Sequence, residues 1–186
     1  MKKILTAFAF TFLIVALNNS YAQTTIGASY EIRSEDPTTG FGLHVERDFL
    51  PLPLLGISGR LHFSYFSEDQ TRSEPGLDIS IDDRSIDVGL TAIASVNLAV
   101  VAPYAGVGIG MEFFTRDLSL TGSGTPEVGI SDGDDSGLFY YGMIGLGISA
   151  IPVVRPFVEY RYRGVTSTDY MPSKYGTWAF GLKLRF

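Results

Sequence analysis

The chain contains no cysteine, which excludes disulfide bonds and thiolate metal sites. After residue 22 it also lacks a long apolar run, because glycine, proline or a charged residue interrupts every apolar segment within about a dozen residues. A membrane-spanning helix is therefore not expected there. Basic residues are few, with 14 Lys and Arg against 20 Asp and Glu and a formal net charge of −6. The acidic balance gives no indication of nucleic acid as a partner.

The first 22 residues have the pattern of a secretory signal peptide. Lys2 and Lys3 form a positive start, an uncharged apolar run follows, and a small-x-small cleavage site ends at Ala22. The run is too short for a membrane anchor, which needs about 20 apolar residues. We expect a signal peptide at 1–22 and one domain at 23–186. Loss of Lys2 and Lys3 leaves 12 basic and 20 acidic residues, a net charge of −8.

Eight later segments alternate between apolar and polar side chains over about ten residues each, which is typical of strands in outer-membrane barrels. The segments are 24–33, 41–50, 55–67, 84–96, 102–116, 137–150, 155–164 and 176–186. Every second connection is short and apolar, and the others are polar and mostly longer, as in a barrel with turns on one rim and loops on the other. The sequence therefore predicts an all-β fold, an eight-stranded antiparallel up-and-down transmembrane β-barrel.

The last predicted strand indicates which face meets lipid. Trp178, Phe180 and Leu182 share one face with the terminal Phe186, and the opposite face carries Lys183 and Arg185. A register slip by one residue would turn both charges to lipid. Each would then destabilise the barrel by about 2–4 kcal/mol near the midplane of the membrane. With the N-terminus on the periplasmic side, the same alternation predicts an aromatic girdle at the long-loop interface. Its members are Tyr30, Phe41, Tyr65, Phe113, Tyr140, Tyr162 and Trp178.

The inward positions carry charges of both signs. They are Glu31, Arg33, Glu46, Asp48, Arg60, Asp87, Glu112, Arg155, Glu159, Arg161, Arg163, Lys183 and Arg185. Eight strands enclose an interior just wide enough for side chains. We therefore expect these residues to form an ionic core that closes the lumen. A selective pore lined by the same charges, a narrow channel for small solutes, is the alternative interpretation.

Three motifs suggest other chemistry. His62 and Ser64 share a strand face, as a base and a nucleophile would, and resemble the pair of outer-membrane lipid A deacylases; their inward direction points away from lipid. Gly106, Gly108 and Gly110 are not followed by a helix start and so are not expected to bind phosphate. The acidic segment 132–135 lacks the spacing of a calcium loop. We therefore predict no catalytic residue, no metal site and no cofactor.

The long connections at 34–40, 68–83, 117–136 and 165–175 are strongly acidic. They contain fourteen Asp and Glu residues, opposed only by Arg72 and Lys174. Such loops repel anionic sugars and phosphates unless divalent cations bridge the two surfaces. We expect any surface ligand of these loops to require Mg²⁺ or Ca²⁺.

The segments Ala102–Gly110 and Arg155–Tyr162 and the alternating end at Phe186 resemble the small outer-membrane β-barrel family, which includes OmpX and the barrel part of OmpA. The resemblance covers the chain after residue 22. It implies residence in the bacterial outer membrane, contact with its lipid, and an assembly machinery that reads the terminal Phe186. Because a fold of this kind serves many roles, the expected function is a structural or surface-interaction protein. A lipid A-modifying enzyme is the less favoured interpretation.

Overall fold

The structure is a computed structural model that describes residues 23–51, 54–74, 77–122, 128–149, 153–166 and 173–186. The predicted signal peptide lies outside these residues. Eight strands follow one another along the chain: β1 (Thr24–Arg33), β2 (Thr39–Pro51), β3 (Leu55–Glu74), β4 (Leu77–Val96), β5 (Val101–Gly122), β6 (Val128–Ile148), β7 (Val154–Val165) and β8 (Lys174–Arg185).

Each strand pairs antiparallel with its sequence neighbours, and β1 also pairs with β8, so that the sheet closes on itself. This confirms the predicted eight-stranded up-and-down barrel. Among the described residues there is no helix long and apolar enough to cross a membrane.

Side chains alternate between the two faces of the sheet. In β8, Thr177, Ala179 and Lys183 are buried inside the barrel, whereas Trp178 and Phe180 are exposed on its outer surface. All seven aromatic residues of the predicted girdle are exposed, from 36% for Phe113 to 67% for Phe41. The outer surface is therefore the apolar one and the inner surface the charged one.

The strands differ in length by a factor of two. β1, β2, β7 and β8 have 10 to 13 residues, close to the 9–11 or so that cross a bilayer. β3, β4, β5 and β6 have 20, 20, 22 and 21. The prediction that 68–83 and 117–136 are loops is therefore wrong, because most of both segments continues the ladder. Outside the membrane both faces of a strand can meet water, so no apolar alternation is needed there.

The extra length forms a protruding sheet, defined here as residues 67–74, 77–84, 115–122 and 128–134. It begins above the row in which Phe66 pairs with Ser85, and Ser85 with Phe114. The connection between β1 and β2 is tied to its base. The backbone N–H and the hydroxyl of Thr38 donate to Oε2 of Glu68 at 2.7 and 2.9 Å. The backbone hydrogen bond is the main cause of a pKa of Glu68 below its ordinary value.

The glycine run of β5 makes space for side chains of β6. A Cβ added to Gly108 would meet the ring of Tyr141 and lie 2.7 Å from the backbone oxygen of Leu90. A Cβ added to Gly106 would lie 2.9 Å from Cε of Met143. The run thus lets large inward side chains lie directly against the neighbouring strand, which agrees with a packing role and not with phosphate binding.

Candidate functional site in the barrel lumen

Eleven of the thirteen charged residues predicted to form the core are considered first, without Asp48 and Arg155 of the short-turn rim, and all eleven lie on inward strand faces. They are Glu31, Arg33, Glu46, Arg60, Asp87, Glu112, Glu159, Arg161, Arg163, Lys183 and Arg185, contributed by seven of the eight strands. The structure groups ten of them into two ionic clusters at different heights and pairs the eleventh, Arg185, at the short-turn rim.

The cluster nearer the long-loop side is a closed ring of four charges, called here the upper ring. Arg33 of β1 contacts Asp87 at 2.6 Å and Glu112 at 2.9 Å. Arg163 of β7 contacts the same two carboxylates at 2.6 and 3.5 Å. The ring joins β1, β4, β5 and β7 across the lumen, and Tyr175 accepts a hydrogen bond from Arg163 and donates one to Glu112.

The second cluster is an open chain of alternating charges, called here the lower chain. Its order is Lys183, Glu46, Arg60, Glu159, Arg161, Glu31. The shortest contacts are those of Glu159, which accepts from Arg60 and from Arg161 at 2.6 Å each. Glu159 also accepts from the hydroxyl of Tyr104 at 2.9 Å. A buried charge is stable only when it is paired and hydrogen-bonded. With three such contacts, Glu159 is the anion that links the two arginines of the chain.

The two ionic clusters are separated by a polar and aromatic layer. Tyr141 contacts Thr91 through a hydroxyl–hydroxyl hydrogen bond and lies 3.2 Å from Nδ1 of His62. His44 pairs directly with His62 across β2 and β3. The two rings nevertheless diverge, because that of His44 lies over Gly27 and that of His62 over Gly89.

His62 and Ser64 are not arranged as a base and a nucleophile. Nδ1 of His62 is engaged by Tyr141, and Oγ of Ser64 has no hydrogen-bond partner in the described part of the chain. Both residues are almost completely buried. In this arrangement His62 does not activate the hydroxyl of Ser64, and both side chains lie on the inner face, away from the lipid-facing surface.

Aromatic side chains pack against the upper ring. Phe66 and Phe139 stack on the two arginines, with the guanidinium carbon of Arg33 3.4 Å from the Phe66 ring and that of Arg163 4.4 Å from the Phe139 ring. Phe114, on the inner face of β5, is 3% exposed.

Sequence reasoning identified the charged members of the lumen but missed the uncharged ones. Tyr104, Tyr141 and Tyr175 all donate or accept hydrogen bonds within or between the ionic clusters. The sequence feature that could have identified these tyrosines is their inward position in the alternation. A buried tyrosine normally has a hydrogen-bond partner, so each could have been expected to bond to the neighbouring charges.

Among the residues that the structure describes, no group of three or more His, Cys, Asp or Glu side chains could hold a metal ion. Within the acidic segment 132–135, the side chains of residues 132–134 lie outside what the structure describes.

Comparison with solved structures gives the same architecture from different bacteria. Neisserial surface protein A is 15% identical, with 89% of this chain and 97% of that chain covered and a TM-score of 0.57. A major outer membrane protein from Thermus thermophilus is 14% identical, with 89% and 99% covered and a TM-score of 0.69. Ail, the attachment invasion locus protein of Yersinia pestis, is 18% identical, with 89% and 97% covered and a TM-score of 0.51. At these identities the likeness concerns the fold.

The sequence has no significant match among curated proteins. The profile of the outer membrane protein beta-barrel domain, in contrast, matches residues 6–186. With the closed eight-stranded barrel and its apolar outer surface, this match shows that the chain belongs to the outer membrane protein β-barrel family and resides in the bacterial outer membrane.

Proposed function

We propose that this protein is a non-conducting, non-enzymatic barrel that presents its protruding sheet as an interaction surface outside the cell. The observation that carries the proposal is the strand asymmetry: four neighbouring strands are about twice as long as the other four. A barrel whose only task was to span the bilayer would need no such extension, since about 9–11 residues per strand suffice. Ail is named for attachment and invasion, and the proposed role belongs to the same broad class.

Closure of the lumen is supported by ion pairs that run across it. The upper ring links β1 and β7 to β4 and β5, on the opposite side of the barrel, and its four side chains are at most 2% exposed. A hydrated ion would have to break these pairs, and uncovering one buried charge costs about 3–5 kcal/mol. Phe66 and Phe139, which stack on the two arginines of the ring, occupy further space in the lumen at this point.

The purified protein should give no steady conductance in planar bilayers, or only rare brief openings. The physical reason is the pair of neutral ionic clusters whose ion pairs cross the lumen. Insertion should be verified by the different migration of unboiled and boiled samples in detergent gels. A stable, ion-selective current from inserted protein would contradict closure and favour the narrow channel.

The protruding sheet presents a row of three aspartates on its outer face. Asp69 pairs directly with Asp82, and Asp82 with Asp117, on three adjacent strands. Arg84 forms an ion pair with Asp82, but Asp69 and Asp117 are exposed and form none with a described residue. Like charges directly opposite one another destabilise a sheet. We propose that divalent cations, shared with the anionic groups of a ligand, offset this repulsion.

Binding of the protein to an anionic polysaccharide should therefore require Mg²⁺ or Ca²⁺. Proteoliposomes should bind beads coated with a phosphorylated polysaccharide when either cation is present, and chelation with EDTA should release them. The double variant D69N/D117N, which removes two charges of the row, should need less cation for the same binding. Binding that chelator leaves unchanged would contradict the cation bridge.

The proposal includes no catalytic residue. Support comes from the burial of His62 and Ser64, since Nδ1 of His62 is engaged by Tyr141 and Oγ of Ser64 has no hydrogen-bond partner among the described residues. We also propose that Phe186, 71% exposed on the outer surface beside β1, is the side chain that the barrel-assembly machinery reads.

A further inference from the structure

Among the residues that the structure describes, the inner surface of the barrel has one cation without an ion pair. The upper ring holds two basic and two acidic side chains, and the lower chain holds three of each, so both are neutral. At the short-turn rim, Nη2 of Arg185 lies 3.1 Å from Oδ2 of Asp48. Arg155, on the neighbouring strand, forms no ion pair with any residue that the structure describes. Among the described side chains of this rim, Arg155 therefore supplies a positive charge that no carboxylate offsets through an ion pair.

Arg155 lines a cavity of about 120 Å³ in the short-turn half of the lumen. Lys183 and Arg185 line the same cavity, together with the hydroxyl groups of Ser95 and Ser149. A cavity needs only about 10–15 Å³ to hold one water molecule. This one therefore has room for a small organic ion, and its position at the short turns faces the periplasm.

Three buried polar atoms of this cavity have no hydrogen-bond partner within the described chain. They are Nε of Arg155, Nε of Arg185 and Oγ of Ser149. Buried polar atoms are rarely left without a partner, because the lost hydration is not replaced. Two of the three can only donate and the third is a hydroxyl that can donate. Together they match the oxygen atoms of an anion.

We infer that this cavity is a binding site for a small carboxylate. Its own acidic side chains are already neutralised, Glu46 by Arg60 and Lys183 at 3.1 and 3.2 Å, and Asp48 by Arg185. The single excess charge of Arg155 therefore matches a monoanion. A divalent phosphate would leave uncompensated negative charge beside Glu46 and Asp48. A planar guanidinium also matches the two oxygens of a carboxylate in a bidentate contact.

Two periplasmic sources carry this chemistry, a free small carboxylate and the carboxyl terminus of a peptide. Titration of the refolded protein in detergent micelles distinguishes them, with the side-chain Nε–H signals of arginine followed by NMR. Acetate should shift the signals of Arg155 and Arg185 saturably, and phosphate should do so more weakly. If a peptide terminus is the source, a tripeptide with a free carboxylate binds more tightly than acetate and its amide does not bind. If a free carboxylate is the source, the tripeptide has no advantage.

The variant Arg155→Gln should weaken acetate binding about tenfold or more, because it removes a hydrogen bond to a charged group. Arg84→Gln is the matched control, since Arg84 is an exposed arginine of the protruding sheet outside the cavity. Arg155→Lys keeps the positive charge and should weaken binding less than Arg155→Gln. It also removes the Nε–H group, so the signal that disappears from the NMR spectrum is the signal of Arg155. The absence of a saturable shift in the unaltered protein, an unchanged affinity in Arg155→Gln, or tighter binding of phosphate than of acetate overturns the assignment. The first and third outcomes need no variant, so the inference remains testable if Arg155→Gln fails to fold.

Discussion

Replacing Glu159 by alanine is expected to lower the free energy of unfolding by about 3–5 kcal/mol, the cost of leaving buried charges without their partner. Glu159 accepts from Arg60 and Arg161 at 2.6 Å each and from Tyr104 at 2.9 Å. Its loss divides the lower chain in the middle. Both arginines are fully buried, so that bulk solvent does not take the place of the carboxylate. The urea midpoint of refolded protein measures the effect.

Val158→Ala is the control for this variant. Val158 is the neighbour of Glu159 in β7 but lies on the outer face, where hydrocarbon surrounds the side chain in both variants. The midpoint should change little. Equal shifts for Glu159→Ala and Val158→Ala would mean that the lower chain contributes nothing specific to stability.

Gly108→Ala is expected to impair folding of the barrel strongly. The added Cβ would lie 2.7 Å from the backbone oxygen of Leu90 and against the ring of Tyr141. The ring could move, but only by leaving its hydrogen bonds with Thr91 and His62, and the Leu90 oxygen belongs to the β4–β5 ladder. Overpacking of this kind costs about 1–3 kcal/mol and sometimes more. The yield of folded protein and its urea midpoint should both fall.

Gly147→Ala provides the matched comparison. Gly147 also lies within a strand, but its added Cβ would be 3.7 Å from the nearest atom, the backbone oxygen of Ala102. That distance is an ordinary contact, and replacing glycine by alanine reduces the entropy of the unfolded chain. The variant should be as stable as the parent protein or slightly more stable. If both variants behaved alike, close packing between β5 and β6 would not be the cause.

The transmembrane part could be predicted from the sequence because a charged side chain is unfavourable on the lipid-facing side of a strand and acceptable on the inner side. Lys183 and Arg185 in β8 permit a single register, and neighbouring strands must follow it. The same constraint identified inward charges such as Glu31 and Arg60 without any knowledge of their partners. Which acid contacts which base could not be predicted, since ion pairs across the lumen, such as that of Arg33 with Glu112, depend on barrel closure and side-chain length.

The protruding sheet was missed because the physical signal disappears above the membrane. Its strands are rich in Ser, Thr and Asp, which are typical of loops. Ile79 and Ile81 do alternate with polar residues, and Ile81 pairs with Leu118 on the inner face of the sheet. Two or three apolar residues at this spacing are too few to distinguish a strand from a loop by pattern alone.

A bulge in β2 also escaped prediction. The register between β2 and β3 shifts between Asp48 and Leu50. The shift leaves both Phe49 and Leu50 exposed, at 65% and 51%, although they are adjacent in sequence. A bulge adds one residue to one strand and ends strict alternation at that point. Alternation alone therefore fails at the last residues before a turn.

The pairing of β1 with β8 determines when this protein can enter a membrane. Thr25 pairs with Arg185 and Ile32 with Trp178, so the first strand to be synthesised finds one of its two partners only in the last. Until that partner exists, β1 and the growing end of the sheet each expose unpaired N–H and C=O groups, which hydrocarbon does not tolerate. A half-made chain therefore has no stable form in lipid. The chain therefore has to be available up to β8 before the barrel can close in the membrane.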